Sequence, residues 1–245
     1  MTRVATIVPA ESDLLCEGCG YTLNGLPEHS NCPECGKPIK ESIGSTRQVP
    51  KWERENGRTI GTFLSTTADI LFRPTRFYQN LATRRDIKPA RQFATIHWIL
   101  TSVLFGLAMY GHLGLYLSWG MSWMGLRGNP SLWIAAALIL ITYLALHGIT
   151  VLAARLTTWE ATYRGLRLPI NVVLRGMCYH AAHYVPVALA VAVTVYGYQL
   201  FERTFPGKLS IDTYLYILCG EVILFAGYLF NTYWIGMRNM MYANR

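Results

Sequence analysis

From Ser131 to Ala154 the chain runs S-L-W-I-A-A-A-L-I-L-I-T-Y-L-A-L-H-G-I-T-V-L-A-A without an ionised side chain, and Arg155 closes the run. At about 1.5 Å per residue, such a stretch crosses the roughly 30 Å of hydrocarbon in a bilayer. A soluble core helix of this length would carry a polar stripe every three to four residues, and none is visible. Three more runs are long and largely apolar. Gln92 to Leu126 holds no ionised group if its histidines are neutral, and predicts a helix from about Pro89 to Leu117. Arg175 to Leu200 predicts another crossing with a mid-helix kink at Pro186, and Thr213 to Met237 a last one. The fold class expected is an all-α integral membrane helical bundle of four spans over residues 89–242, preceded by a small N-terminal module.

Ahead of the spans the pattern changes twice. Residues 41–58 are polar, with Gly, Pro and mixed charge, and predict a tether. Over residues 59–88, Ile60, Phe63, Leu64, Ala68 and Leu71 recur at helical spacing with Thr62, Thr66 and Asp69 between them. An amphipathic helix is expected, its apolar face either in the headgroup zone or docked on the bundle. Pro74 ends that helix and can open the next. Phe77, Tyr78 and Leu81 share a face of this second helix. Arg76, Arg84, Arg85, Lys88 and Arg91 form a lipid-facing basic collar, either a positive-inside anchor or a recognition site for anionic lipid.

Composition agrees with a membrane protein. The 245 residues are 52% hydrophobic and 15% charged, and seven tryptophans and fifteen tyrosines suit interfacial belts, with Trp119, Trp123 and Trp133 bracketing the first outer turn. The formal charge of +8 comes from cations lying beside apolar runs rather than in one patch, so they read as topology signals and no nucleic-acid partner is expected. M-T-R-V-A-T-I-V-P-A-E-S-D is too short in apolar run for a cleavable leader. Few cations fall in the outer turns (Arg127, Arg203, Lys208) while Arg164, Arg167 and Arg175 join the inner side, which predicts both termini in the cytoplasm.

Residues 1–40 carry the specific chemistry. C-E-G-C-G at Cys16 and Cys19 and C-P-E-C-G at Cys32 and Cys35 form two C-x-x-C-G knuckles twelve residues apart. Four thiolates at this spacing define a metal site, and Gly20 and Gly36 permit the tight turns that aim backbone N–H groups at sulfur. A reducing cytoplasm disfavours disulfides. Leu23, Leu26 and Ile39 are the expected apolar support, Tyr21 packs beside the knuckle, and His29 is solvated. So short a module draws its folding energy from the metal. Zinc and iron both accept tetrahedral sulfur. Zinc is favoured, because structural zinc is common and no di-iron bundle with Glu-x-x-His motifs accompanies the knuckles.

Polar groups inside the spans need partners. Glu221 has Tyr214 and Tyr228 one heptad to either side, and it falls at the depth of His112, which predicts that the two are hydrogen-bonded or close, the other reading being a Glu221 that is protonated or reaches a wet cavity. His97, His147, His180 and His183 fall in the cytoplasmic half, where they either bond backbone and tyrosine or ligate a haem or metal. Gly106, Gly111, Gly114, Ala188, Ala190 and Ala192 favour close helix approach, and Cys178 and Cys219 are expected as inert packing residues. No G-x-S-x-G, H-E-x-x-H, P-loop or dinucleotide fingerprint is present, so an enzyme is not the expectation.

The C-x-x-C-G-Y and C-P-x-C knuckles resemble the zinc-ribbon and rubredoxin-like folds. R-P-T-R-F-Y-Q-N-L before the spans, with R-G-M-C-Y-H-A-A-H-Y-V-P opening a later one, resembles the Yip family of small helical membrane proteins over about Ile60 to Tyr242. That family usually has five spans, against the four counted here. The resemblance implies a non-catalytic role in membrane organisation and transfers no catalytic residue. A C-G-Y-x-L-x-G-L ribbon joined to such a domain is also similar to bacterial membrane proteins, notably of planctomycetes. The expected function is a non-enzymatic inner-membrane protein whose zinc ribbon binds a protein partner, with a homo-oligomer as a further option. The alternatives are an electron carrier with iron in the same four cysteines, and a small transporter or channel using Glu221.

Overall fold

The computed structural model describes residues 8–10, 12–43, 47–54, 58–119 and 131–244. Trp123 and Arg127, expected in the first outer turn, lie outside them. Among the described residues the regular elements are helices, joined by turns and isolated bridges: α1 (Lys40–Ile43), α2 (Ile60–Phe72), α3 (Pro74–Asn80), α4 (Lys88–Trp119), α5 (Leu132–Tyr163), α6 (Ile170–His180), α7 (Tyr184–Thr204) and α8 (Ile211–Met240). Among the described residues four stretches are long and apolar enough to cross a membrane: Lys88–Leu115, Leu132–Tyr163, Ile170–Thr204 and Ile211–Met240. The described residues make an all-α integral membrane fold with four spans and an N-terminal four-cysteine module. Outward-facing apolar side chains agree with lipid as the solvent. On α5, Ile141, Leu144, Ile149 and Leu152 are each more than half exposed, as are Val222, Ile223 and Leu224 on α8.

Local chemistry sets the helix limits. Thr59 caps α2: its Oγ1 accepts from the Thr62 N–H at 3.3 Å, while Thr62 Oγ1 accepts from the Thr59 N–H at 3.1 Å. Pro74 stands at the start of α3, where its missing N–H costs nothing. Gly165, at φ 74°, ends α5, with the Leu166 N–H reaching back to the Ala161 carbonyl at 2.8 Å. Where a kink is expected at Pro186, the α-helix is interrupted just before the proline. A 3-10 turn over Ala181–His183 separates α6 from α7, because the proline ring excludes the carbonyl of residue 182 from ordinary α geometry.

The chain divides into two compact units. The first holds residues 1–94, 150–180 and 232–245: the cysteine module, α2, α3, the adjoining ends of α4, α5 and α8, and all of α6. Its core is aromatic. Trp52, Phe63, Phe93, Tyr179, Phe77 and Tyr78 follow one another at ring separations of 5.2–6.1 Å. Trp52 also donates its Nε1–H to the Pro89 carbonyl at 3.0 Å. The shared face expected of Phe77, Tyr78 and Leu81 is present, Tyr78 and Leu81 each being 1% exposed. On α2 the expected apolar face splits. Phe63 and Ile70 enter the core, while Ile60, Leu64 and Phe72 stay outside.

The second unit holds residues 95–149 and 181–231. Gly106 lets α4 and α5 touch: a Cβ there would lie 2.6 Å from Ile139 Cγ1 and 2.9 Å from its backbone. Gly111 accommodates Tyr196 and Gln199 of α7 in the same way, and Gln199 Nε2 donates to the Gly111 carbonyl at 2.9 Å. Ala108, Val195, Tyr198 and Tyr214 form a buried cluster. Cys178, in the first unit, is buried as expected; Cys219 is not, standing exposed on the apolar outer face of α8.

Candidate metal centre and its anchoring

The two knuckles are copies of one small hairpin. In the first, the Cys16 N–H donates to the Tyr21 carbonyl and the Gly20 N–H to the Cys16 carbonyl, both at 2.8 Å. In the second, the Cys32 N–H donates to the Lys37 carbonyl at 2.8 Å and the Gly36 N–H to the Cys32 carbonyl at 2.9 Å. Bridges Leu15–Thr22 and Asn31–Pro38 extend each turn. Gly20 (φ 83°) and Gly36 (φ 74°) occupy the left-handed conformation that lets each turn close under its second cysteine. Leu23 and Ile39, equivalent in the two copies, bury together with Cys16 and Cys32, and Leu14, Leu26 and Ile43 pack around them. His29 is exposed. Tyr21 is 39% exposed and is not the knuckle's cover. Tyr242 takes that place, its ring so close over Gly20 that a Cβ there would meet it at 2.5 Å.

The four sulfurs converge. Cys16 Sγ and Cys35 Sγ are 3.5 Å apart, Cys19 Sγ and Cys32 Sγ 3.6 Å, and all four lie within 4.8 Å of one another. Tetrahedral sulfurs about 2.3 Å from zinc stand about 3.8 Å apart, so the quartet has the size of a metal shell. Burial resists ionisation at both Cys19 and Cys32. At Cys32 the backbone N–H groups of Cys35 and Glu34 outweigh it and bring the thiol down to about 7, whereas Cys19 is held up at about 12. A captured cation therefore displaces protons from this cluster. Cys16 and Cys32 are buried and Cys19 and Cys35 exposed, so one edge of the centre faces outward.

Residues 41–58, expected as a tether, are instead fastened at both described ends. Arg47, its side chain 4% exposed, donates Nε to Glu17 at 3.2 Å, Nη1 to the carbonyls of Tyr78 and Leu81, and Nη2 to the Asn239 carbonyl at 3.0 Å. Glu53 is buried against Arg175 of α6, with Nη2 at 2.7 Å from Oε2, and accepts a short hydrogen bond from Tyr179 Oη. Arg175 completes its fork on the Ala82 and Asp86 carbonyls, both at 2.8 Å. An aromatic residue followed by a carboxylate in a polar stretch was the one signal in the sequence for this docking.

Two further residues hold the module itself. Arg167, in the turn between α5 and α6, donates Nη1 to the carbonyls of Ala10 (3.0 Å) and Asp13 (2.5 Å) and Nη2 to Asn244 Oδ1 (3.0 Å). The Asn244 amide also accepts from the Leu15 N–H at 3.0 Å and donates to the Leu15 and Ser42 carbonyls at 2.7 and 3.0 Å. This puts the knuckles at the end of the bundle where Arg164, Arg167 and Arg175 lie, as the charge pattern predicts. Nothing in the sequence marked Asn244.

Among the described residues the four cysteines are the one group of three or more His, Cys, Asp or Glu side chains close enough to share an ion. The histidine cluster proposed as a haem or metal site does not form. His180 Nε2 pairs with Thr232 Oγ1 at 3.1 Å, His183 Nδ1 with Tyr228 Oη at 2.7 Å, His147 packs edge-on to Trp98, and His97 is buried. Depth alone placed these residues together; the helix faces that carry them differ. The polar residues of α8 bond neighbouring elements. His112 Nδ1 bonds Tyr214 Oη at 2.7 Å, and Glu221 Oε1 accepts from Thr194 Oγ1 at 2.5 Å, so His112 and Glu221 each take another partner. In the basic collar, the Lys88 backbone N–H bonds Asp86 Oδ1 at 3.0 Å, Arg85 borders a cleft with Arg54, and Arg76 lines a separate cavity.

Fold and site together define a membrane protein carrying a four-cysteine metal-binding module. No protein-family model, curated protein or solved structure matches the chain.

Proposed function

We propose that this is a non-enzymatic protein of the bacterial inner membrane, with both termini cytoplasmic, whose knuckle pair holds one zinc ion and offers its outer edge to a protein partner. The observation that carries the reading is the convergence of four sulfurs within 4.8 Å on a module whose own core is small. The anchoring supports an organising role. Arg47, Arg167 and Asn244 spend their polar atoms fixing the module to helix ends, which suits a rigid platform better than a swinging arm. The exposed loop at Glu28 and His29 is the surface left for a partner, while Cys19 borders a cleft lined by Arg47, Trp234 and Tyr242. The Yip-like reading of the membrane domain belongs to the same proposal, with membrane organisation as its role and self-association as one way to exercise it. A reducing compartment for four thiols and the cations at the ribbon's end support the orientation.

A photo-crosslinker at His29 in cells tests the partner. One discrete adduct, lost in the Cys19→Ser variant, is expected; no adduct, or the same adducts without the metal ligand, contradicts the reading. Iron in place of zinc would give the purified protein a visible thiolate-to-metal absorption, and a colourless protein is expected. One observation favours a second reading, a proton- or cation-moving membrane domain: Glu221 Oε2 is buried without a partner among the described residues. Proteoliposome flux that Glu221→Gln abolishes would support it, and equal flux in both proteins would remove it.

A further inference from the structure

Residues 48–54, the C-terminal half of α2, and α3 surround a cavity of about 310 Å³. Four cations line it, Lys51, Arg54, Arg73 and Arg76, and Asp69 is the sole carboxylate among its described lining residues. Asp69 is already engaged: Lys51 Nζ lies 3.0 Å from its Oδ2 and donates to Ser65 Oγ at 2.7 Å. The guanidinium groups of Arg54, Arg73 and Arg76 have no hydrogen-bond or carboxylate partner among the described residues. In the same unit Arg47, Arg167 and Arg175 use their forks fully on carbonyls and carboxylates. Three unspent forks around one cavity are therefore a local excess of positive charge. The walls that hold them are fixed: the Gln48 N–H donates to the Asn80 carbonyl at 2.5 Å, and the Gln48 carbonyl accepts from the Ala82 N–H at 3.1 Å.

Helix geometry sets an apolar stripe beside this cavity. At about 100° per residue, Ile60, Leu64, Ala68 and Phe72 spread over about 120° of α2, and the cavity side begins about 60° beyond Phe72 with Asp69, followed by Arg73 and Thr66, so Phe72 is the member of the stripe nearest the cavity. Ile60, Leu64 and Phe72 are 81%, 58% and 80% exposed. Phe63, on the core side, packs at 5.2 Å on Phe93 in the second turn of α4, so α2 lies where the first span enters its apolar stretch. Guanidinium groups bind phosphate bidentately, and an exposed apolar stripe at the membrane entry needs acyl chains to cover it.

We infer that this cavity binds the headgroup phosphate of an anionic phospholipid, with Ile60, Leu64 and Phe72 against its acyl chains. The inference stands on the four spans and the α2–α3 geometry, and does not depend on the identity of the metal or on a protein partner.

The test is native mass spectrometry of the full chain released from nanodiscs of phosphatidylcholine with phosphatidylglycerol. Wild type is expected to retain one phosphatidylglycerol in preference to phosphatidylcholine. The Arg54→Gln, Arg73→Gln, Arg76→Gln triple variant is expected to bind it on the order of a hundredfold more weakly. A triple variant with the same charge change elsewhere, at Arg58, Arg155 and Arg238, should retain it. Equal loss in both triples, or no loss in either, overturns the proposal, as does absence of preference in wild type. Leu64→Ser with Phe72→Ser should weaken lipid retention while metal content stays unchanged. Should millimolar inorganic phosphate displace the lipid, or should the double serine variant bind it undiminished, the cavity serves a soluble phosphate and the lipid assignment is wrong. If the cavity triple does not fold, single Arg73→Gln and Arg76→Gln variants replace it, each expected to weaken retention severalfold; undiminished retention in both overturns the proposal.

Discussion

At the scale of residues, buried arginines do more than mark topology. Arg175 is 1% exposed and joins Glu53, two carbonyls and the Tyr179 ring face, 5.9 Å from its guanidinium carbon. Removing one member of such a pair strands the other charge, which costs about 3–5 kcal/mol. Arg175→Ala should therefore lower the thermal midpoint in detergent steeply, and adding Glu53→Gln should recover part of the loss. Equal midpoints for wild type and Arg175→Ala would contradict the network. Asn244 makes a second residue-scale prediction. Its amide group holds Leu15, Ser42 and Arg167 at once, so Asn244→Ala should cost on the order of 2–3 kcal/mol locally. Faster amide exchange at Leu15 and Leu23 without change in the spans would be the sign of it.

At the scale of elements, glycine position separates contact from open space. Gly106 meets the Ile139 backbone, and an added Cβ cannot be accommodated without moving a helix; Gly148 on α5 has nothing within 4 Å. Gly106→Ala is expected to destabilise by about 1–3 kcal/mol and Gly148→Ala to leave the midpoint unchanged, as read by thermal unfolding in one detergent. The reverse ranking would contradict the α4–α5 packing. The same scale explains what the sequence pattern gave away. Long runs without charge named the four spans, and Pro74 and Pro186 marked real breaks. Amphipathic spacing found α2 but merged two strips of its surface, because Phe63 and Leu64 are both apolar and only packing tells which is covered.

At the scale of the molecule, the four cysteines were legible because a metal shell is written in local spacing. The way their module is fastened was not. Arg47 with Asn239, and Asn244 with Leu15, join positions far apart in the chain through single side chains that leave no periodic trace. The histidines failed for a related reason: span depth is readable from sequence, whereas the rotation of each helix is set by its neighbours. Because Cys16 and Cys32 sit inside the small core with Leu23 and Ile39, removing the ion should loosen the module while the spans remain helical. Chelator treatment should thus expose residues 16–36 to protease and leave the far-ultraviolet helical signal nearly unchanged.

The most direct test of the account is the metal stoichiometry of the full chain, purified in detergent without added metal and measured by inductively coupled plasma mass spectrometry beside its Cys19→Ser, Cys35→Ser variant. One zinc per chain, lost in the variant, is predicted. A protein that folds and inserts with no bound metal, or that keeps its zinc without those two thiols, would contradict it.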